Sequence, residues 1–141
     1  ADRSRCPLSV ALLDIDNFKR LNDTLGHQVG DQALVHLAKV IKETLRPADT
    51  VGRYGGEEFV IVLPDTPLEA AVEVLQRLQR DLTRKFFLHN NERILVTFSA
   101  GVALRAEDED QEDLLGRADK AMYQAKQTGK NRVVAASAPG K

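Results

Sequence analysis

Two groups of acidic residues provide the most conspicuous chemistry in this sequence of 141 residues. Asp14 and Asp16 stand at the end of an apolar run, and Glu57 and Glu58 directly follow a pair of glycines. Clustered carboxylates repel one another unless a cation neutralises them, and Mg²⁺ prefers carboxylate oxygens together with the oxygens of a substrate phosphate. Glycines also let the backbone come close to a ligand. The pattern therefore predicts a magnesium site that serves a phosphorylated ligand.

The same acidic residues also have simpler structural explanations. Successive residues of a strand point to opposite faces, so Asp14 and Asp16 share a face only while the strand continues. Asp16 or Asn17 is a candidate N-cap for a following helix. Glu57 lies beside a glycine turn, where side chains are usually exposed, so we expect it at the surface and expect its loss to cost little stability.

A second set of polar residues, Asn22 and Asp31, flanks the pair Gly26 and His27. A carboxylate can accept hydrogen bonds from the N–H groups on the edge of guanine, and an amide can both donate and accept. The set is therefore a candidate purine-binding edge. The alternative is a plain helix-turn-helix, in which Gly26 ends one helix and Asp31 stabilises the positive start of the next.

Basic residues near the end of the chain are candidates for phosphate binding. Lys126 and Lys130 lie at the end of the last predicted helix, and Lys19 and Arg20 are candidate neighbours in space. A lysine ammonium group binds phosphate as a point charge, but lysines at a helix C-terminus also complement the helix dipole without any ligand. The sequence leaves both interpretations open.

The elements that position these residues alternate between strands and helices. Continuous apolar runs indicate buried strands, apolar residues at helical spacing indicate amphipathic helices, and two extended runs around Gly-Gly indicate a hairpin. The predicted strands cover residues 8–15, 50–54, 58–63, 94–104 and 132–136. The predicted helices cover residues 18–25, 29–45, 68–86 and 112–128, with a polar connection over 87–93.

This order of elements predicts an α/β protein of the α+β kind. Strand-helix-strand-strand-helix-strand is the ferredoxin-like arrangement, in which helices flank a central antiparallel sheet. Its first and third strands lie side by side at the centre. The end of the strand at 8–15 should therefore lie near the hairpin turn before the strand at 58–63, which would bring the two acidic groups together.

Composition limits the other functions that the chain could have. Hydrophobic residues make up 43% and charged residues 29%, as in an ordinary globular domain, and a net charge of −1 argues against nucleic-acid binding. The single cysteine, Cys6, excludes an internal disulfide. No apolar run reaches the roughly 18 residues of a membrane span. We expect a cytoplasmic domain without membrane contact, which is compatible with a membrane anchor elsewhere in the parent protein.

Four segments in order, DIDNFKRLNDTLGHQVGD, RYGGEEF, TFSAGVA and ADKAMYQAKQTGKN, resemble the GGDEF family of diguanylate cyclases in its GGEEF variant. The resemblance covers nearly the whole chain. It implies a sheet of the nucleotidyl-cyclase palm type and an enzyme of bacterial second-messenger signalling. That enzyme would condense two GTP molecules into cyclic di-GMP with release of pyrophosphate. The resemblance also implies Mg²⁺ as cofactor, with Mn²⁺ as an alternative, and a homodimer in which two GTP-loaded domains face each other.

The resemblance further implies a role for individual residues. The implied metal ligands are Asp14, the main-chain carbonyl of Ile15 and Glu57. The implied catalytic residues are Glu57 as the base for the 3′-hydroxyl, Glu58 in support, and Lys19 at the transition state. The implied substrate contacts are Asn22 and Asp31 on guanine, His27 as a weaker contact, Phe18 along the phosphates, and Lys126 and Lys130 on the terminal phosphates. The family often has Arg in place of Lys130, and Lys lacks the bidentate fork of Arg.

The segment Arg46-Pro47-Ala48-Asp49 has two interpretations. On local grounds it is an exposed ion pair, which contributes little stability. In the family that the chain resembles, an Arg-x-x-Asp segment at this place is the inhibitory site for the product. The resemblance therefore implies inhibition by cyclic di-GMP through Arg46 and Asp49, with Arg77 on the next helix completing the site.

The expected organisation is a loose segment over residues 1–7, a catalytic domain over 8–136 and a tail over 137–141. The helix that usually leads the family's domain is missing before Cys6, so we expect the chain to be a fragment. A catalytically silent receptor for GTP or cyclic di-GMP and a dimerisation scaffold are the two alternatives to an active cyclase. The presence of Asp14, Glu57 and Glu58 together favours the enzyme.

Overall fold

A computed structural model describes residues 6–138 of the chain. Its strands are β1 (Leu8–Ile15), β2 (Thr50–Arg53), β3 (Glu58–Pro64), β4 (Phe87–His89), β5 (Glu92–Ile94), β6 (Phe98–Leu104) and β7 (Arg132–Ala135). Its helices are α1 (Phe18–Leu25), α2 (His27–Thr44), α3 (Leu68–Arg84) and α4 (Gln111–Gln127). Outside residues 87–97, these bounds agree with the predicted elements to within two residues at each end.

The central sheet has five strands in the order β2-β3-β1-β6-β7. The pairs β2–β3, β3–β1 and β1–β6 are antiparallel, and β7 adds to the edge parallel to β6. The predicted α+β class with a ferredoxin-like antiparallel sheet is thereby confirmed, including the central position of β1 beside β3. In this register Asp14 lies opposite Glu58 on one side and Ser99 on the other.

Helices cover both faces of the sheet, and the alternation of β1 assigns its residues to two hydrophobic clusters. Ala11 and Leu13 pack in the larger cluster with residues of α2 and α3, whereas Val10 and Leu12 pack with residues of α4. Because side chains alternate along a strand, Asp14 belongs to the face that α4 covers. That alternation places Asp14 under the C-terminal half of α4.

The close approach of α4 to the sheet depends on Gly101 of β6. A Cβ atom at this position would lie 2.0 Å from the carbonyl oxygen of Ala118 and 2.3 Å from the backbone nitrogen of Met122. Both atoms belong to the backbone of α4, so a side chain could be accommodated only by moving the helix away. Gly101 therefore sets the distance between α4 and the sheet.

The prediction was wrong over residues 87–97. The expected polar connection at 87–93 contains a separate hairpin of β4 and β5, whose turn residues Asn90 and Asn91 have φ values of 51° and 66°. Asn tolerates positive φ, which such two-residue turns require. The expected strand at 94–104 is interrupted over residues 95–97, and β6 begins at Phe98 opposite Ile15. Since β1 ends at Ile15, the segment before Phe98 has no β1 residue to pair with.

Residues 1–5 and 139–141, which hold most of the predicted loose segment and tail, lie outside the described residues. Within the described part of the chain, none of the helices combines the length and the apolar character that crossing a bilayer requires.

Candidate active site

Asp14, the penultimate residue of β1, lies at the centre of the candidate site. It is 5% exposed, and its Oδ2 atom lies 2.8 Å from the Nζ atom of Lys126 on α4. Its Oδ1 atom is buried and has no hydrogen-bond partner among the residues that the structure describes. Burial raises the pKa of Asp14, an effect that Lys126 opposes and that the nearby charges of Glu57 and Asp16 reinforce. A cation would satisfy the unpartnered oxygen and favour the ionised form.

Glu57 and Glu58 reach the same place from the hairpin of β2 and β3. The backbone N–H of Tyr54 donates to the carbonyl of Glu58 over 2.8 Å, and Gly55 has a φ of 135°, which residues with side chains rarely adopt. Glu57 is half-buried rather than exposed, so the expectation of a surface position is wrong. Glu57 directly precedes Glu58, which pairs with Asp14 at the end of the ladder between β3 and β1.

Glu58 shares the electrostatic environment of Asp14. Burial raises the pKa of Glu58, and the negative charges of Asp14, Asp119 and Glu57 raise it further. The acidic groups predicted to meet are therefore brought together, as the topology required. In the described residues no three His, Cys, Asp or Glu side chains converge into a metal site by themselves. The predicted ligand set, with two carboxylates and the carbonyl of Ile15, includes only two such side chains.

Asp16 and Asn17 do not form the N-cap that we considered. Asn17 precedes α1 with a φ of 58°, but its side chain makes no capping hydrogen bond. Asp16 instead accepts hydrogen bonds from the hydroxyls of Thr97 and Ser99 and from the backbone N–H of Asn131. The capping interpretation is wrong because these partners, more than 80 residues away in the chain, take both carboxylate oxygens of Asp16.

The candidate purine-binding residues lie at the corner between α1 and α2. Asn22 is half-buried, and its Oδ1 atom is enclosed without a hydrogen-bond partner in residues 6–138. A Cβ atom at Gly30 would lie 1.7 Å from this oxygen, so the glycine provides the space that Asn22 occupies. Asp31 and His27 are exposed. Gly26 ends α1 with a φ of 97°, as the helix-turn-helix interpretation expects.

The predicted phosphate-binding residues lie around the start of α1. Lys126 contacts Asp14, and Lys130 donates from Nζ to the side-chain oxygen of Asn17 over 2.8 Å. Lys19 is exposed on the first turn of α1, where Phe18 is half-buried. Asn17 was not among the predicted site residues. The sequence carries no local signal for its contact with Lys130, since the two residues are 113 positions apart.

The candidate product site lies after α2. Arg46 and Asp49 form an ion pair of 2.7 Å, and Arg46 also donates to the hydroxyl of Thr66 and the carbonyl of Pro64. Asp49 is buried, so the expectation of an exposed pair is wrong for the carboxylate. Burial would raise the pKa of Asp49, but the hydrogen bonds from Arg46 outweigh burial and lower it.

Arg77 was expected to complete the same site. It is exposed on α3, and among residues 6–138 no hydrogen bond or ion pair joins it to Arg46 or Asp49. The two parts of the predicted product site are therefore not in direct contact in this structure.

Comparison with known proteins shows similarity to a single family. A family model described as the GGDEF domain of diguanylate cyclases matches residues 1–132. Diguanylate cyclase A of Treponema denticola is 45% identical over 127 residues, which cover 89% of this chain but 34% of that protein. The chain therefore spans about a third of this curated relative.

Solved structures show the same fold. The GGDEF domain of DgcB from Caulobacter crescentus, in complex with c-di-GMP, is 36% identical with a TM-score of 0.87 over 92% of this chain and 77% of that one. Diguanylate cyclase SiaD of Pseudomonas aeruginosa, in complex with its activator SiaC, is 38% identical with a TM-score of 0.91. That match covers 95% of this chain and 52% of the SiaD chain. With a matching family model over almost its whole length and relatives of this similarity, the chain belongs to the GGDEF family.

Proposed function

We propose that this domain is a diguanylate cyclase that condenses two GTP molecules into cyclic di-GMP, releases pyrophosphate and is inhibited by its product. The observation that carries the proposal is the buried, unpartnered Oδ1 atom of Asp14 beside Glu57 and Glu58, with Lys126 on the other oxygen. An acidic site of this kind next to lysines suits phosphoryl transfer, which depends on positioning and charge neutralisation more than on a protein nucleophile.

The donor set fits a divalent cation. Asp14, Glu57 and the carbonyl of Ile15 would hold Mg²⁺, or Mn²⁺ in its place, and hard oxygen ligands of this kind match both ions. When bound, the ion would neutralise charge at the transferring phosphate and lower the pKa of the attacking hydroxyl. Glu57, which lies at the turn between β2 and β3, would take the proton of the 3′-hydroxyl on a carboxylate oxygen, and Glu58 would support the turn.

Other residues of the chain would bind and orient GTP. Asp31 would accept hydrogen bonds from the N–H groups of the guanine edge, and Asn22 would accept and donate there, with His27 beside them. The enclosed oxygen of Asn22 is available for a donor. Lys126 and Lys130 would hold the terminal phosphates, while Phe18 and Lys19 lie at the α1 terminus, where backbone N–H groups favour anions.

The reaction would need two copies of the domain. Each bound GTP would present its 3′-hydroxyl to the α-phosphate of the other, so the productive state is a homodimer with facing sites. Cyclic di-GMP bound by Arg46, Asp49 and Arg77 would inhibit the enzyme by favouring another arrangement, because a ligand shifts an equilibrium only through unequal affinity for its states. The c-di-GMP complex of the DgcB relative supports binding of this product class.

The test is the product formed by the full-length protein and by two matched variants. Incubation with GTP and Mg²⁺ should give cyclic di-GMP, detected by mass spectrometry. Glu57→Ala should abolish synthesis while circular dichroism shows a folded protein, whereas Glu107→Ala, an exposed acid after β6, should leave synthesis unchanged. Near-normal synthesis by Glu57→Ala would refute the catalytic role. A wild-type protein that binds cyclic di-GMP but makes none would be a receptor.

A further inference from the structure

The carboxylate of Asp16 joins three separate segments of the chain. It accepts hydrogen bonds from Thr97 Oγ1 over 2.8 Å, from Ser99 Oγ over 2.5 Å and from the backbone N–H of Asn131 over 2.8 Å. Asp16 is 8% exposed, and its own backbone N–H donates to the carbonyl of Thr97 over 2.9 Å. The acid therefore ties the end of β1 to the start of β6 and to the turn that follows α4.

The turn after α4 has a conformation that needs support. Lys130 and Asn131 have φ values of 63° and 48°, in the left-handed region that residues with side chains seldom adopt. The backbone N–H of Lys130 donates to the carbonyl of Ala125, which closes the helix. Asn131 is held from two directions, by Asp16 at its N–H and by Gln79 of α3, whose amide donates to the backbone and side-chain oxygens of Asn131.

This turn determines where the amine of Lys130 lies. Its Nζ atom donates to Asn17 Oδ1 over 2.8 Å, immediately before α1. In the proposed function that place belongs to the terminal phosphates of GTP. Lys130 is exposed, so the backbone position set by the turn, together with the hydrogen bond to Asn17, defines where its amine lies.

We infer that Asp16 is a positioning residue for nucleotide binding, which fixes the turn at 130–131 so that Lys130 faces the phosphates. Asp16 acts through its contact with Asn131 and does not itself touch the nucleotide. The inference rests on the proposed function, because in that function Lys130 binds the terminal phosphates of GTP. A purely structural role of Asp16 in joining β1 to β6 predicts instead that replacing Asp16 and replacing Lys130 weaken binding independently, and this difference can be measured.

The test is a double-mutant cycle between Asp16 and Lys130 in the full-length protein. The measured quantity is the dissociation constant of 3′-deoxy-GTP with Mg²⁺, determined by calorimetry, because this analogue lacks the attacking hydroxyl and is not turned over. Lys130→Met and Asp16→Ala should each weaken binding about tenfold, the scale of a hydrogen bond to a charged group. The double variant should bind no more weakly than Lys130→Met alone, since Asp16 acts through Lys130.

Asp16→Asn provides a rescue that depends on geometry. Its amide oxygen can still accept from Asn131 and Thr97, and its NH₂ group can donate to a rotated Ser99 hydroxyl. Binding should therefore return to within about threefold of the wild type, well short of the loss from a lost charged hydrogen bond. If Asp16→Ala does not fold, Gln79→Ala removes the other contact to Asn131 and should weaken binding in the same direction.

Glu109→Ala is the matched control. Glu109 is also a buried acid that accepts from two kinds of donor, Arg117 and the backbone N–H of Ala106, but it lies beyond the opposite end of β6. Glu109→Ala should lower the midpoint temperature of thermal unfolding without changing the dissociation constant of 3′-deoxy-GTP. The inference would be overturned if Asp16→Ala and Lys130→Met weakened nucleotide binding independently, so that their fold-changes multiply in the double variant. It would also be overturned if Glu109→Ala weakened nucleotide binding as much as Asp16→Ala does. A wild-type protein that does not bind 3′-deoxy-GTP would overturn the proposed function instead.

Discussion

Replacing Lys126 by Met should destabilise the protein in a way that depends on pH. Lys126 Nζ lies 2.8 Å from Asp14 Oδ2, and at an effective dielectric constant of about 20 this separation gives an attraction of about 6 kcal/mol. The lysine side chain is 29% exposed, so the cost of removing it from water offsets much of that attraction. We expect a net loss of about 2 kcal/mol, because the variant leaves Asp14 buried without its counterion.

The sign of the pH dependence follows from the raised pKa of Asp14. An acid whose pKa is higher folded than unfolded binds its proton more tightly in the folded protein. The stability contribution of Asp14 therefore falls as pH rises from the ordinary value of 3.8 through the raised one. Lys126→Met removes the group that opposes the effect of burial on the pKa of Asp14. The pH range over which stability falls therefore extends to higher pH. The variant should lose most stability at pH 8 and far less at pH 4.

Urea unfolding followed by circular dichroism at the two pH values measures this difference. Lys120→Met is the control, since Lys120 lies on the same helix but is exposed. It should change the free energy of unfolding by less than about 0.5 kcal/mol at either pH. An equal loss for Lys126→Met at pH 4 and pH 8 would refute the coupling to Asp14, because a change in helix packing has no reason to follow the titration of that carboxyl.

Three further variants test other residues of the site and the fold. Asp31→Ala should weaken GTP binding by about 1–3 kcal/mol and ATP binding far less, since ATP lacks the exocyclic N2 amine. Calorimetry with both nucleotides measures the difference. Arg46→Ala with Asp49→Ala should abolish inhibition in initial rates measured with added cyclic di-GMP, while uninhibited synthesis persists. Gly101→Ala should lower the free energy of unfolding by about 1–3 kcal/mol in urea titrations, because the new methyl group meets the backbone of α4 at Ala118.

Much of the fold could be predicted because its signals are local. The apolar run at 8–15 and the glycine pair before Glu57 indicate β1 and the hairpin without any tertiary information. The segment ILVTFSAGVAL could not be divided in the same way, since it is mostly apolar and its few small polar residues mark no boundary. Its strand begins only at Phe98 because the partner strand β1 ends at Ile15. Pairing between distant segments, which the sequence does not display, sets that boundary.

The same distinction between local signals and distant contacts applies to the candidate site. Its acidic residues could be predicted from residue type and spacing, and the topology then brought Asp14 and Glu58 together. The contacts of Asp16 with Asn131 and of Lys130 with Asn17 join residues 115 and 113 positions apart. Local patterns contain no information on such pairs, so residue type alone leaves a helix cap as one interpretation of Asp16 or Asn17. The half-buried position of Glu57 is likewise a tertiary feature for which the sequence carries no local signal.

The proposed activity joins two GTP molecules through the site around Asp14. The most direct measurement is the yield of cyclic di-GMP and pyrophosphate from GTP and Mg²⁺ in the full-length protein, compared with that of Asp14→Asn. We expect two pyrophosphates for each cyclic di-GMP in the wild type and neither product in the variant. Release of pyrophosphate or phosphate without cyclic di-GMP, or full synthesis by Asp14→Asn, would contradict it.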